Sequence, residues 1–409
     1  MAWLLLILLI AQAPPAADLA SAAKALEAEK YAEAAAILEK LVAADPSDFR
    51  ARFNLAFAYT QLHRDPEAIE QYGKVVAEQP ELAPARLNLG ILLLRQKQPA
   101  AAVAHLEAAA AKKPEDFRAA YYLGEALLAS GETTRAEGAY RRALELDARS
   151  AAARLGLARS VARADRLEEA GQEFRRAAGT DPEFRDALLE LADLLEQKRR
   201  PAEALELYLE FLKARPDAVA VRERAGVLLL HTQRYEEAIA HLEPAVRQAP
   251  TPANQAALAQ GYTMTKQPAK ALPLLRAAVA AEPADPDLRF RLATALLEAA
   301  DFAGAAREFL AALEKKPQSM ETWNGLAFSL YRTDNFPGAL QALDRARALG
   351  PEPPGNHYLR AIMLDKLHQY PVALESYQKF LAAAAGKYPD DEFKARQRVR
   401  ILTKMIGKR

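Results

Sequence analysis

Proline returns along this chain at a nearly fixed step. Pro46, Pro80, Pro114, Pro182, Pro216, Pro250, Pro283, Pro317 and Pro351 stand 34 residues apart, except for one step of 68, bridged by Ala148, and one of 33 between Pro250 and Pro283. Twelve residues before each mark stands alanine, from Ala34, Ala68 and Ala102 to Ala305 and Ala339. Twenty-four before each stands Ala or Gly, as at Ala22, Ala56, Gly90, Gly124, Gly226 and Ala327. A last unit repeats the small residues at Ala361, Ala373 and Ala385. A constant step of this length means one supersecondary unit repeated, each burying its faces against its neighbours. The 409 residues therefore read as one elongated array, where length alone suggests two or three domains.

Residues 49–82 show why the step holds. Phe53, Leu55, Ala56 and Tyr59 fall at helical spacing and predict a first amphipathic helix. His63-Arg64-Asp65 breaks the pattern, and Asp65-Pro66 reads as an N-cap followed by proline in the first turn. Ala68, Ile69, Tyr72, Val75 and Val76 form the stripe of a second helix, which Pro80 ends. Ala56 and Ala68 sit where two such helices cross closest, and a larger side chain there would force the axes apart. Alanine is about a fifth of the chain, and part of that excess marks these crossings.

This pattern resembles the tetratricopeptide repeat family over residues 15–386. The resemblance implies an all-α, right-handed superhelical solenoid of about eleven 34-residue helix-turn-helix units. The units lie near 15–48, 49–82, 83–116, 117–150, 151–184, 185–218, 219–251, 252–285, 286–319, 320–353 and 354–386. The family's aromatic at the head of the first helix survives as Trp323; Arg52, Arg86 and Ala120 hold that place elsewhere. Pentatricopeptide arrays, which bind RNA, have a neighbouring period; the sustained 34-residue register and a net charge of +1 argue against them. Pro244 and Pro273 fall inside second helices, and the 33-residue step is close by, so an irregular stack is expected over 219–284.

The two ends leave the period. Residues 3–10 are an apolar run, followed by Ala11-Gln12-Ala13 and Pro14-Pro15. That is the form of a secretory signal peptide over 1–13, and the run is too short for a bilayer, which takes about 20 residues. No Lys or Arg precedes it and Pro14 follows the cleavage point, so an uncleaved anchor and a first helix packed on the array are the alternatives. With no Cys there is no lipid-attachment site, disulfide framework or thiolate metal centre. Residues 387–409 predict a capping helix with the stripe Ala395, Val399, Leu402 and Ile406. Its Lys394, Arg396, Arg398 and Arg400 point mostly elsewhere, toward solvent or toward an anionic surface.

No residue set reads as catalytic. The six histidines include no i, i+4 pair, and His231 and His241 lie in different helices of one hairpin. There is no phosphate loop and no Gly-x-Ser-x-Gly, so no enzyme activity, cofactor or metal is expected. Glu168-Glu169 and Glu236-Glu237 open second helices, where the helix dipole accounts for them. The resemblance implies instead a concave groove lined by first helices. Projected onto units two to four, it gives Arg50, Phe53, Asn54, Phe57, Leu87, Asn88, Ile91, Arg118, Tyr121, Tyr122 and Glu125. Asn54 and Asn88 stand at equivalent places, where an amide can both donate to and accept from a peptide group. Arg159, Arg163, Asp193, Glu196 and Gln197 make the middle of the groove charged. A second apolar patch follows at Phe290, Phe328, Tyr331, Tyr358 and Ile362. No two-lysine carboxylate clamp is present, so a C-terminal carboxylate is not the expected ligand. The resemblance implies a non-catalytic scaffold that binds protein or peptide segments; the N-terminal run adds export, and the charge balance and hydropathy leave no nucleic acid and no integral span expected. The alternative is an accessory subunit of an envelope enzyme or of a polysaccharide or protein export complex.

Overall fold

The computed structural model describes residues 16–407, and the expected signal segment 1–13 lies outside them. The described chain is built from helices joined by short turns, and it divides into two compact units between Lys198 and Arg199. In the first unit five helix pairs follow one another: α1 (Ala16–Glu27) with α2 (Tyr31–Ala44), α3 (Phe49–Gln61) with α4 (Asp65–Glu78), α5 (Ala83–Arg95) with α6 (Pro99–Lys112), α7 (Phe117–Ala129) with α8 (Thr133–Leu146), and α9 (Ala151–Arg163) with α10 (Leu167–Thr180). It ends on α11 (Ala187–Gln197).

The second unit opens on α12 (Pro201–Ala214). Pairs follow: α13 (Val219–His231) with α14 (Tyr235–Gln248), α15 (Pro252–Met264) with α16 (Pro268–Ala281), α17 (Pro286–Glu298) with α18 (Phe302–Lys315), α19 (Met320–Arg332) with α20 (Phe336–Leu349), and α21 (Pro354–Lys366) with α22 (Tyr370–Ala384). Helix α23 (Pro389–Ile406) closes it. Within each unit, helices pack on their sequence neighbours, and odd-numbered helices also touch one another, from α5 through α9 in the first unit and from α13 through α21 in the second.

The small residues hold the crossings as expected. Ala56, Ala68, Ala102, Ala136 and Ala158 have no exposed surface. A Cβ built on Gly90 would sit 2.5 Å from Leu106 Cγ, and one on Gly226 would sit 2.5 Å from Leu242 Cγ.

Each turn inside a pair is three residues long, and its middle residue has positive φ: Glu29, His63, Lys97, Gly131, Asp165, Arg199, Gln233, Lys266, Ala300, Asp334 and His368. In this left-handed conformation the following N–H reaches back five residues, as from Arg64 to the Tyr59 carbonyl at 2.9 Å, the Schellman closure of a helix end. That closure corrects the expected N-cap. The chain has already reversed at His63, so α4 begins at Asp65 itself, and Arg64 precedes it without a side-chain cap. The Asp65 carboxylate instead meets Arg95 at 2.9 Å and Gln96 at 3.4 Å in the next pair.

The irregularity expected over 219–284 is confined to one turn. Pro244 and Pro273 lie inside continuous 14-residue helices. The missing residue comes out of the connection between α14 and α15, which is three residues (249–251) where the equivalent connections are four. A capping box between Thr251 and Asn254 closes it, and Asn254 Nδ2 also donates to the Ala249 carbonyl at 2.7 Å. An unexpected break occurs earlier. Asp181 caps a 3-10 turn at Pro182–Phe184, and α11 starts late and is 11 residues long.

Candidate functional site

In the first unit the odd-numbered helices enclose a cavity of about 330 Å³. Its lining is Leu26 from α1; Phe53, Asn54, Phe57, Thr60 and Gln61 from α3; Pro84, Leu87, Asn88, Ile91, Leu92 and Arg95 from α5; Tyr72 from α4; His63; and Lys113, Asp116 and Arg118 around the start of α7. Phe53 is buried edge-on against Tyr72, with ring centroids 5.4 Å apart. Tyr72 is fully buried, which pushes its phenol well above the ordinary range and keeps it neutral. Asn88 Nδ2 donates to the Tyr72 hydroxyl at 3.0 Å. Phe57 is half-buried and stands 6.3 Å from the Tyr31 ring.

Asn54 differs from its counterpart. It is 7% exposed and lines the cavity, and its carboxamide has no hydrogen-bond partner among the described residues. The carboxamide is not among the side-chain groups sealed from solvent, so it stays open toward the cavity, where it can both donate and accept. Around the mouth, Arg95 is shared between Asp65 at 2.9 Å and His63 Nδ1 at 3.3 Å. Asp116 is occupied as the N-cap of α7, accepting from the Arg118 and Ala119 amides at 2.9 and 3.4 Å. Lys113 is half-buried, and its ammonium has no acidic partner among the described residues.

Seven residues of the expected first patch therefore meet in one cavity: Phe53, Asn54, Phe57, Leu87, Asn88, Ile91 and Arg118. Four do not line it. Arg50 lies over the Phe49 ring at 5.6 Å. Tyr121 stacks on Phe117 at 5.8 Å and meets the rings of Tyr122 and Tyr140 edge-on. Glu125 accepts the Tyr140 hydroxyl. Sequence reasoning missed Leu26, Thr60, Gln61, His63, Tyr72, Pro84, Leu92, Arg95, Lys113 and Asp116. Extending the groove projection one helical turn past Phe57 finds Thr60 and Gln61; Lys113 and Asp116 come from a turn, for which helical periodicity carries no signal.

Farther along the first unit, a second cavity of about 360 Å³ is lined by Arg159, Ala162, Arg163, Phe174, Glu190, Asp193, Leu194 and Gln197. Four of the five residues expected to make the middle groove charged are there; Glu196 is not. The charge is largely consumed internally. Arg159 forks onto Glu190 at 2.9 and 2.6 Å, which holds its guanidinium protonation even more firmly than usual, and Arg163 donates to the Leu128 carbonyl at 2.6 Å.

The expected second patch goes to three places in the second unit. Phe290 packs edge-on against Phe309 at 5.8 Å. Phe328, 38% exposed, joins a run of rings with Phe302, Tyr331 and Phe336 at 6.2–6.4 Å, and Arg332 lies over Phe302 at 3.9 Å. Tyr358 and Ile362 pack on the apolar cluster shared by α21, α22 and α23. Among the described residues no group of three His, Cys, Asp or Glu is placed to hold a metal ion.

Sequence models of the tetratricopeptide repeat match residues 87–151, 126–183, 189–253 and 324–389, and a second model of that repeat matches 25–87 and 263–319. The human "Interferon-induced protein with tetratricopeptide repeats 2" is 43% identical over 61 residues, which is 15% of this chain and 13% of that protein. The match thus spans about an eighth of that relative's length. Among solved structures, YrrB, described as a TPR protein with an unusual peptide-binding site, is 24% identical over 44% of this chain and 93% of its own, with a TM-score of 0.40. MamA from Desulfovibrio magneticus RS-1 is 20% identical over 40% of this chain and 92% of its own, with a TM-score of 0.38. Helix pairs keep a 34-residue step, small residues sit at their crossings, and the repeat models match along most of the length; the chain belongs to the tetratricopeptide repeat family.

Proposed function

We propose that this protein is a non-catalytic interaction scaffold, and that its first unit holds an extended segment of a partner protein in the cavity between α3 and α5. The observation that carries this reading is the carboxamide of Asn54, which opens on the cavity beside Phe57, Leu87 and Ile91 with no hydrogen-bond partner among the described residues. A peptide group offers the donor and acceptor this amide lacks, while Phe57, Leu87 and Ile91 take an apolar side chain. Lys113 at the mouth favours a segment with an acidic residue near that side chain. The cavity holds one or two side chains, and the rest of the segment follows the odd-numbered helices.

The reading includes export to the cell envelope, which the apolar run at 3–10 and the Ala11-Gln12-Ala13 site support. The test is capture of partners from an envelope fraction, followed by mass spectrometry, with the parent protein and an Asn54→Ala/Phe57→Ala variant of unchanged helicity. The variant is expected to lose at least one partner that the parent retains. Equal recovery of every partner would sink the cavity as the binding site. A tagged chain found entirely in the cytosolic fraction, with residues 1–13 intact, would sink export.

A further inference from the structure

Helix α23 is more than a cap. One face is spent on packing: Ala395 and Leu402 have no exposed surface, Glu392 is 2% exposed, and Val399 packs on the cluster with Leu364, Tyr377 and Phe380. A helix that only shields the end of an array needs a polar outer face. This one carries Phe393 at 62%, Ile401 at 46% and Met405 at 41% exposure. Helical spacing interleaves these with Arg400 and Lys404, since 393, 397, 400, 401 and 404 fall on one side.

Past Asp390, Asp391 and Glu392 in the first turn, the charge along the helix is all positive. From Phe393 to Ile406 the sequence holds Lys394, Arg396, Arg398, Arg400 and Lys404, and no acid. Three of these five are committed to acids: Lys394 to Asp391 at 3.4 Å, Arg396 to Glu392 at 2.5 Å, and Arg398 to Asp365 at 2.7 Å. Arg400 and Lys404 are exposed and have no acidic partner among the described residues.

We propose that α23 lies flat on the surface of a bilayer containing anionic phospholipid, with Phe393, Ile401 and Met405 inserted among the headgroups and Arg400 and Lys404 on the phosphates. The positive charge from Lys394 to Lys404 complements an anionic surface, and the large apolar side chains mixed among the cations need somewhere to leave water. A docked protein helix is less well matched: Asp390, in the first turn, is the one acid on this side, too few to set a register against a partner's cations. The contact is peripheral, because among the described residues no helix is long and apolar enough to cross a membrane. It does not depend on what the α3–α5 cavity binds.

The test uses the full chain and sedimentation with vesicles of phosphatidylcholine, alone or mixed with phosphatidylglycerol. Binding to the mixed vesicles is expected to exceed binding to pure phosphatidylcholine and to weaken with salt. Arg400→Glu/Lys404→Glu should lower it about tenfold or more, at roughly fivefold per cation removed from the surface. Phe393→Ser/Ile401→Ser should lower it without abolishing the salt dependence. Both changes are at exposed positions, and circular dichroism checks that the fold is kept. A Phe393→Trp variant reads the helix directly, through a blue shift of the added emission on mixed vesicles only. No blue shift, undiminished binding by the charge-reversed variant, or a preference of the same face for RNA or for a second copy of the chain would overturn the proposal.

Discussion

Asn54 and Asn88 are the same residue at the same place in consecutive repeats, yet one is tied to a tyrosine and the other has no hydrogen-bond partner among the described residues. The difference is set sixteen residues earlier, on the preceding second helix. Asn88 follows Tyr72, whose hydroxyl takes its amide proton; Asn54 follows Leu38, which has no polar atom to offer. The same register explains two glycines. Gly156 leaves room for Tyr140, where a Cβ would come within 2.3 Å of Cζ, and Gly325 leaves room for Phe309 at 2.4 Å. This pairing was legible in the sequence once the offset is known, but the offset depends on how helices of adjacent repeats face each other, which the period does not state. A second residue-scale consequence follows from the turns. Ala300 holds φ of 61° in an exposed turn, a conformation that costs an L-residue about 1–2 kcal/mol. Ala300→Gly removes that strain but adds freedom to the unfolded chain. The expected net is a gain of about 0.5–1 kcal/mol in urea unfolding, and a loss of stability would show the turn to be unstrained.

At the scale of the helix, arginine does the work of the family's lost aromatic. Trp323 Nε1 donates to the Pro317 carbonyl, six residues back, at 2.9 Å. Arg86, Arg154, Arg222 and Arg289 reach the carbonyl six residues back in the same way, at 2.5, 2.7, 2.8 and 2.8 Å, and Arg52 does so to Pro46. Several of these side chains also reach the second helix, Arg154 to Glu173 at 3.3 Å and Arg289 to Glu308 at 2.7 Å. Where the position is Ala120, Arg142 of α8 reaches the Pro114 carbonyl instead, at 2.8 Å. Where it is Leu188, no such donor exists, and the chain forms the 3-10 turn before α11. The sequence showed the missing aromatics as a departure; that arginine replaces their hydrogen bond required the geometry of the turn. Arg222→Ala should therefore cost about 0.5–1 kcal/mol, the worth of a charge-assisted bond to an exposed carbonyl. Arg222→Trp should recover most of it, read as urea midpoints at constant slope. Equal loss in both variants would show that the guanidinium acts through its charge alone.

At the scale of the whole chain, helix existence and type were readable because each repeat states its pattern again. The division at Lys198/Arg199 was not, since the 34-residue step runs past it without a change. In a linear array each repeat is held by its immediate neighbours, so a local injury should spread only a few repeats. Gly156 in α9 and Gly325 in α19 allow the same injury in each unit, because alanine at either position forces a ring on the preceding helix to move. Overpacking of this kind costs about 1–3 kcal/mol. Trp323 lies in the second unit, two residues from Gly325. In a Trp3→Phe background its fluorescence reports that unit alone, while far-ultraviolet circular dichroism reports all helices. Gly325→Ala should shift the urea midpoint of the fluorescence transition. Gly156→Ala should leave that midpoint in place and pull part of the dichroism transition to lower urea. A shift of the Trp323 midpoint by Gly156→Ala as large as that by Gly325→Ala would mean that the chain unfolds as a single cooperative body, and the stability of its repeats would no longer be local.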